Sequence, residues 1–149
     1  MEHLNIHRLV SRVAIIVTVV IGIAFSTACA ERAKNPDNEL PFGVVDTPKP
    51  DAVLTPGKTL VGGWALDDSG VAEIRIYLDG HFKTSVRLSV PRPDVAKEMP
   101  RYARRGDIYG WNVETDFGMS PGPHTILAQA VDDSGATRDI GVIPVTVPR

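Results

Sequence analysis

The sequence predicts an all-β fold, a seven-stranded antiparallel β-sandwich behind an N-terminal hydrophobic helix. Three observations carry this. Apolar and polar residues alternate with period two in segment after segment beyond residue 42. Gly, Pro, Asn and Asp punctuate those segments at the spacing expected of short strands. No helical periodicity after residue 30 is long enough to cover a sheet, so each apolar sheet face has only a second sheet to bury against.

Residues 42–46 form a short first strand, closed by the breakers Pro48, Pro50 and Pro56. Residues 60–66 follow, with Leu60, Trp64 and Leu66 on one face. Gly62 and Gly63 mark a close approach of another backbone there. In 71–79, Ile74, Ile76 and Leu78 alternate with Glu73, Arg75 and Tyr77, the pattern of a sheet with one wet face. Asp79-Gly80 predicts a type I′ turn. It leads to a strand over 82–90 with Phe82, Val86, Leu88 and Val90 inward. Residues 109–115 direct Trp111 and Val113 to the core. Pro121-Gly122-Pro123 then turns the chain into 124–131, where Ile126, Ala128 and Ala130 face inward. Pro144 within the last strand, 137–147, marks an edge or a bulge. Trp64 and Trp111 are the expected core anchors, and Trp64→Ala the expected most damaging substitution.

The 149 residues leave room for one domain, and residues 1–30 do not belong to it. Arg8 and Arg12 precede an uncharged, largely Val/Ile/Ala run over 13–30 that ends in small residues. That is the pattern of a signal peptide, with its N-terminus on the cytoplasmic side. Three fates fit it. Ala28-Cys29-Ala30 suits cleavage after Ala30 and secretion. Ser26-Thr27-Ala28-Cys29 resembles the lipobox of bacterial lipoproteins, which implies Cys29 as a lipidation site. The 18 uncharged residues would also span about 27 Å as a retained helix, close to the ~30 Å hydrocarbon layer. Each fate exports the rest. Residues 31–41, polar and containing Pro36 and Pro41, read as a linker, and 42–149 as the folded domain.

Composition excludes several classes of function. A single cysteine permits neither an intramolecular disulfide nor a Cys-based zinc site. A net charge of −2 with two Trp, three Tyr and four Phe offers neither the basic footprint nor the stacking surface of a nucleic-acid binder. No cofactor motif is present. His81 and His124 are isolated, and Ser120 near His124 has no nucleophile-elbow motif, so the reading is non-enzymatic, with no catalytic residues.

One local repeat stands apart. Trp64-Ala65-Leu66-Asp67-Asp68-Ser69-Gly70 is echoed by Gln129-Ala130-Val131-Asp132-Asp133-Ser134-Gly135. Each copy reads as a turn, in which Asp accepts backbone N–H bonds and Gly takes a conformation other residues avoid. A second reading gathers Asp67, Asp68, Asp132 and Asp133 at one end of the sandwich as a calcium site.

The segments Gly63-Trp64-Ala65-Leu66-Asp67-Asp68-Ser69-Gly70-Val71, Ile76-Tyr77-Leu78-Asp79-Gly80, Pro121-Gly122-Pro123-His124-Thr125-Ile126 and Ala130-Val131-Asp132-Asp133-Ser134-Gly135 resemble the bacterial immunoglobulin-like domain family. The resemblance spans 42–147. It implies an immunoglobulin-like sandwich of the kind used in spacers, stalks and adhesion units, with no shared catalytic residues. The expected function is accordingly an exported, non-enzymatic module for protein–protein or cell-envelope interaction.

Residues 91–107 lack strand alternation and form a long loop. Asp94 is placed to cap one helical turn over 95–99, which Pro100 ends. Arg92, Arg101, Tyr102, Arg104 and Arg105 make this loop the candidate binding element. The mixture of guanidinium and phenol groups suits an anionic sugar, a phosphate or a partner's carboxylates. A carbohydrate- or polyanion-binding module is therefore the alternative function. The other reading is a structural loop whose Tyr102 or Met99 packs on the open sandwich edge.

Overall fold

A computed structural model describes residues 38–103 and 106–149. The expectations for the hydrophobic helix and Cys29, and for Arg104 and Arg105, lie outside the described residues. Those residues contain nine strands and one short helix: β1 (Phe42–Thr47), β2 (Ala52–Val53), β3 (Lys58–Leu66), β4 (Val71–Leu78), β5 (His81–Val86), β6 (Val90–Pro91), α1 (Pro93–Glu98), β7 (Ile108–Asp116), β8 (Gly122–Asp132) and β9 (Thr137–Val147). They form a four-stranded sheet in the order β1-β3-β7-β6 and a five-stranded sheet in the order β2-β9-β8-β4-β5. The main core draws Val45, Val61, Ala65 and Trp111 from the first sheet, and Ile74, Ile76, Leu78, Ile126, Ala128, Ala130 and Ile143 from the second. Two sheets facing each other across interdigitated apolar residues form a β-sandwich.

The count of seven strands is corrected to nine, and the sheets are not wholly antiparallel. β2 pairs parallel to β9, with Ala52 opposite Val145. The segment expected as one strand over 82–90 is two. After β5 the chain leaves the second sheet and joins the first as β6, where Val90 opposes Gly110 of β7. The register slips between Ile76 and Tyr77, so Ile76 opposes Thr84 while Tyr77 opposes Phe82. One extra residue in a strand reverses which face its neighbours occupy. Phe82, expected inside, is therefore 57% exposed and stacks edge-on against Tyr77, ring centroids 5.7 Å apart.

β3 also faces the other way from its expected orientation. Thr59, Val61 and Ala65 are buried against the main core, whereas Leu60 is 48% exposed. Trp64 lies on the far face, half-buried in a second cluster with Leu66, Val95, Tyr109, Phe42 and Tyr102. Trp111 alone of the two tryptophans is a core anchor, 1% exposed. The close approach in β3 is present: a Cβ on Gly63 would stand 2.0 Å from the Val44 carbonyl oxygen. In β9 the irregularity falls at Ile140 rather than Pro144, since Ala128 opposes Gly141 and Gln129 opposes Asp139. Pro144 opposes Thr125 in regular register, and its carbonyl accepts the Asp51 N–H at 2.8 Å. The side of Pro144 that lacks a donor thus faces the short β2 edge, where no ladder bond is required.

Among the described residues no helix is long and apolar enough to cross a membrane.

Candidate functional site

The long loop is strapped to the sandwich by its own charges. Arg92 precedes α1 and donates to Asp46 Oδ2 at 2.7 Å from Nη1 and to Asp94 Oδ2 at 2.7 Å from Nη2. The bonds from Arg92 hold Asp94 well below the usual carboxylate range, at about 2. Asp94 sits inside the first turn of α1 and pairs with Arg92; it is not the N-cap, a position Arg92 occupies without a side-chain capping bond to the helix backbone. Pro93 at the first helical position begins α1, because its fixed φ suits the helix and its missing N–H is not needed there.

Farther along the loop, Arg101 donates to Glu39 Oε1, and its guanidinium lies 5.3 Å from the Tyr102 ring centroid. The Tyr102 hydroxyl donates to Glu39 Oε2 at 2.6 Å, which lowers the Glu39 carboxyl and raises the Tyr102 phenol. The Tyr102 ring packs edge-on against Phe42 at 4.9 Å. Val95 of α1 is buried with Leu66 and Tyr109. Glu39 belongs to the stretch expected as linker, and no local pattern in the sequence marked it as a partner of the loop. Pro41 and Asn38, from the same stretch, are also seated on the sandwich. Pro41 is fully buried, and Asn38 Nδ2 donates to Asp132 Oδ2 at 2.7 Å.

The two Asp-Asp-Ser-Gly turns meet at one end of the sandwich. Asp133 N donates to the Gly70 carbonyl at 2.8 Å, joining them directly. Asp67 Oδ1 accepts from Ser69 N at 2.7 Å, Ser69 Oγ at 2.6 Å and Gly70 N at 3.1 Å. Asp132 Oδ1 accepts from Ser134 N at 2.8 Å, Ser134 Oγ at 2.7 Å and Ala136 N at 2.7 Å. Gly70 and Gly135 take φ of 113° and 91°, the conformation these turns demand. Among the described residues no group of three or more His, Cys, Asp or Glu side chains is arranged to hold a metal ion. The first carboxylate oxygen of each turn is committed to its own backbone, so the repeat has a structural explanation without calcium.

The turn pair borders a cleft of about 620 Å³ whose lining includes Leu66, Asp67, Asp68, Arg87, Tyr109 and Asp133. Asp67 is 6% exposed, and burial pushes its carboxyl above the usual range, only partly opposed by the bonds from Ser69 and Gly70. Burial pushes Asp132 the same way, but the bonds from Ser134, Asn38 and Ala136 prevail and hold it below its ordinary value.

His124 is at the other end of β4, beside the Asp79-Gly80 turn. Nδ1 lies 2.7 Å from Asp79 Oδ2 and Nε2 lies 2.7 Å from the Ser120 carbonyl oxygen. Ser120 meets the ring through its carbonyl oxygen, which is not a nucleophile that the imidazole could activate.

No family model matches the chain, and no curated protein matches it. The chain is similar in fold to a fibronectin(III)-like module. That solved structure, of Clostridium thermocellum CbhA fibronectin(III)-like modules, aligns with a TM-score of 0.50 at 19% identity. The match covers 73% of this chain and 47% of that chain. The fibronectin(III)-like module is itself an immunoglobulin-like β-sandwich, so the likeness supports the fold class and leaves function to the residues.

One surface feature escaped the sequence reading. On the outward face of the five-stranded sheet, Phe82 opposes Tyr77, Tyr77 opposes Leu127, and Leu127 opposes Val142. Phe82 and Val142 are 57% and 60% exposed. Residues directly opposite in register share a face, so the four form one apolar row across β5, β4, β8 and β9. A polar row runs beside it, Arg75 opposite Gln129 and Gln129 opposite Asp139.

Proposed function

We propose that the chain is a non-enzymatic, exported immunoglobulin-like module, of the bacterial immunoglobulin-like family, for protein–protein or cell-envelope interaction. Its binding surface is the outward face of the five-stranded sheet. The carrying observation is the row Phe82–Tyr77–Leu127–Val142, an apolar strip bordered by the polar row of Arg75, Gln129 and Asp139. An apolar centre within a polar rim is the anatomy of a protein interface, and Tyr and Phe are the side chains enriched there. Export follows from the charged flank and apolar run of residues 1–30, which limits partners to envelope or extracellular proteins. Cys29 is the proposed attachment point if the segment is exchanged for lipid.

The pairing of Arg92 with Asp46 and Asp94, and of Arg101 with Glu39, counts against the polyanion-binding alternative, because those guanidiniums are already neutralised. The test is affinity capture of the full-length protein from its native envelope beside the Phe82→Ser/Val142→Ser variant. Partners recovered with wild type and lost with the variant support the proposal; identical recovery by both contradicts it. Intact mass of the mature N-terminus decides the anchor: a diacylglycerol or triacyl mass on Cys29 supports lipidation, and a chain beginning at Glu31 excludes it.

A further inference from the structure

The outward face of the five-stranded sheet carries two neighbouring rows, and the order of residues within each says what kind of surface could lie on it. In the apolar row Phe82 of β5 and Val142 of β9 stand at the two ends, 57% and 60% exposed. Tyr77 and Leu127 lie half-buried between them. In the polar row Ser85 opposes Arg75, Arg75 opposes Gln129 and Gln129 opposes Asp139. Its positive charge is therefore on β4 and its negative charge on β9. Arg75 holds Glu73 through Nε at 2.7 Å and keeps 38% of its side chain exposed. Arg87 acts on the same carboxylate, so of these three residues two are guanidiniums and one is an acid. Asp139 is exposed and accepts at 2.9 Å from the Gln129 amide, which is neutral.

Packed sheets keep their strands nearly aligned. A two-fold axis running along the strands between β4 and β8 lays each row on its own reverse. Phe82 then meets Val142 of a second copy, Tyr77 meets Leu127, Arg75 meets Gln129 and Ser85 meets Asp139. The two most exposed side chains of the apolar row cover each other. No like charges of the polar row face each other, and Arg75 lies one strand, about 4.8 Å, from the second copy's Asp139. The two-fold makes that unlike contact twice. β4 is eight residues long, so four strands about 4.8 Å apart, at about 3.3 Å per residue, give roughly 500 Å² on each copy. A pair hides roughly 1,000 Å², the lower end for a specific interface.

We infer that the occupant of this face is a second copy of the chain, in a symmetric dimer that forms and separates with concentration. The inference rests on the interaction face proposed above and adds which partner fills it.

The test mixes two full-length variants in detergent, Arg75→Asp and Asp139→Arg. Two Arg75→Asp copies bring acid to acid at both contacts, and two Asp139→Arg copies bring base to base. One of each brings acid to base at both. Sedimentation equilibrium from about 1 to 500 µM should show wild type dimerising, each variant alone weakened roughly tenfold or more, and the equimolar mixture restored. Native mass spectrometry with one variant 15N-labelled should find mixed pairs in excess of like pairs. Residues 1–30 are the same in every sample, so association through them does not produce these differences. If a charge variant does not fold, Phe82→Asp mixed with Val142→Lys repeats the test across the apolar contact, at two exposed positions. Monomeric wild type throughout that range, or a mixture no more associated than its components, overturns the second copy as occupant. The interaction face is read separately, by whether Phe82→Ser/Val142→Ser loses other proteins in the affinity capture.

Discussion

His124 sits between two acceptors, the Asp79 carboxylate and the Ser120 carbonyl, and only the imidazolium donates to both. Its pKa is accordingly raised above 6.5, first by the bond to Asp79, and Asp79 is lowered by the same bond. A raised histidine contributes stability that is fully present below the unfolded value and is lost as pH rises through the folded one. A lowered aspartate contributes above 3.8 and loses its contribution as pH falls through its folded value. The pair therefore supports the sandwich between those limits. Thermal unfolding of wild type and His124→Gln should show a wild-type advantage near about pH 5.5 that shrinks by about pH 8.5; a constant difference would contradict the assignment. At the tryptophans the expected ranking reverses. Trp111→Ala should cost about 3–5 kcal/mol, and Trp64→Ala less, because Trp111 is fully buried and Trp64 only half-buried. Denaturant midpoints of the two variants check this. The alternation from Trp111 was legible because Asn112, Val113 and Glu114 continue it cleanly. Trp64 was misplaced because Gly62 and Gly63 remove the side chains that would have fixed the phase of β3.

Strands were legible wherever both faces carried contrasting side chains, as in β4 and β8. They were misread where the chain breaks register. The slip opposite Tyr77 and the switch of sheets between β5 and β6 depend on pairing across the sheet, which no local pattern records. The short strands β2 and β6 escaped for the same reason: two residues carry no periodicity. The glycines of β3 did report their cause. A Cβ at Gly63 would collide with the Val44 carbonyl, so Gly63→Ala should push β1 from β3 and cost about 1–3 kcal/mol. Because Asp46 of β1 holds Arg92, the same variant should also loosen the loop, seen as faster amide exchange at Val95 and Ala96. Unchanged exchange there would separate the loop from β1. The turn role of the repeat was readable from Asp and Gly alone, whereas the difference between its two copies depends on Asn38, remote in sequence.

Across the described residues, Arg92 and Arg101 of the candidate binding loop are paired with carboxylates of the protein itself, and the sheet that looked ordinary carries the exposed strip. Phe82 and Val142 are left at the surface on the same outward face of the five-stranded sheet. The row was invisible in sequence because its four members are scattered over sixty-odd residues and only the register aligns them. The decisive measurement is site-specific photo-cross-linking of the full-length protein in the cells that make it. The photoreactive side chain is placed at Phe82 or Val142, and at exposed Leu60 on the other sheet as control. Discrete protein adducts from Phe82 and Val142 that are absent from Leu60 are the expected result; no adduct from the row, or the same adducts from Leu60, would contradict an interaction module that binds through this face.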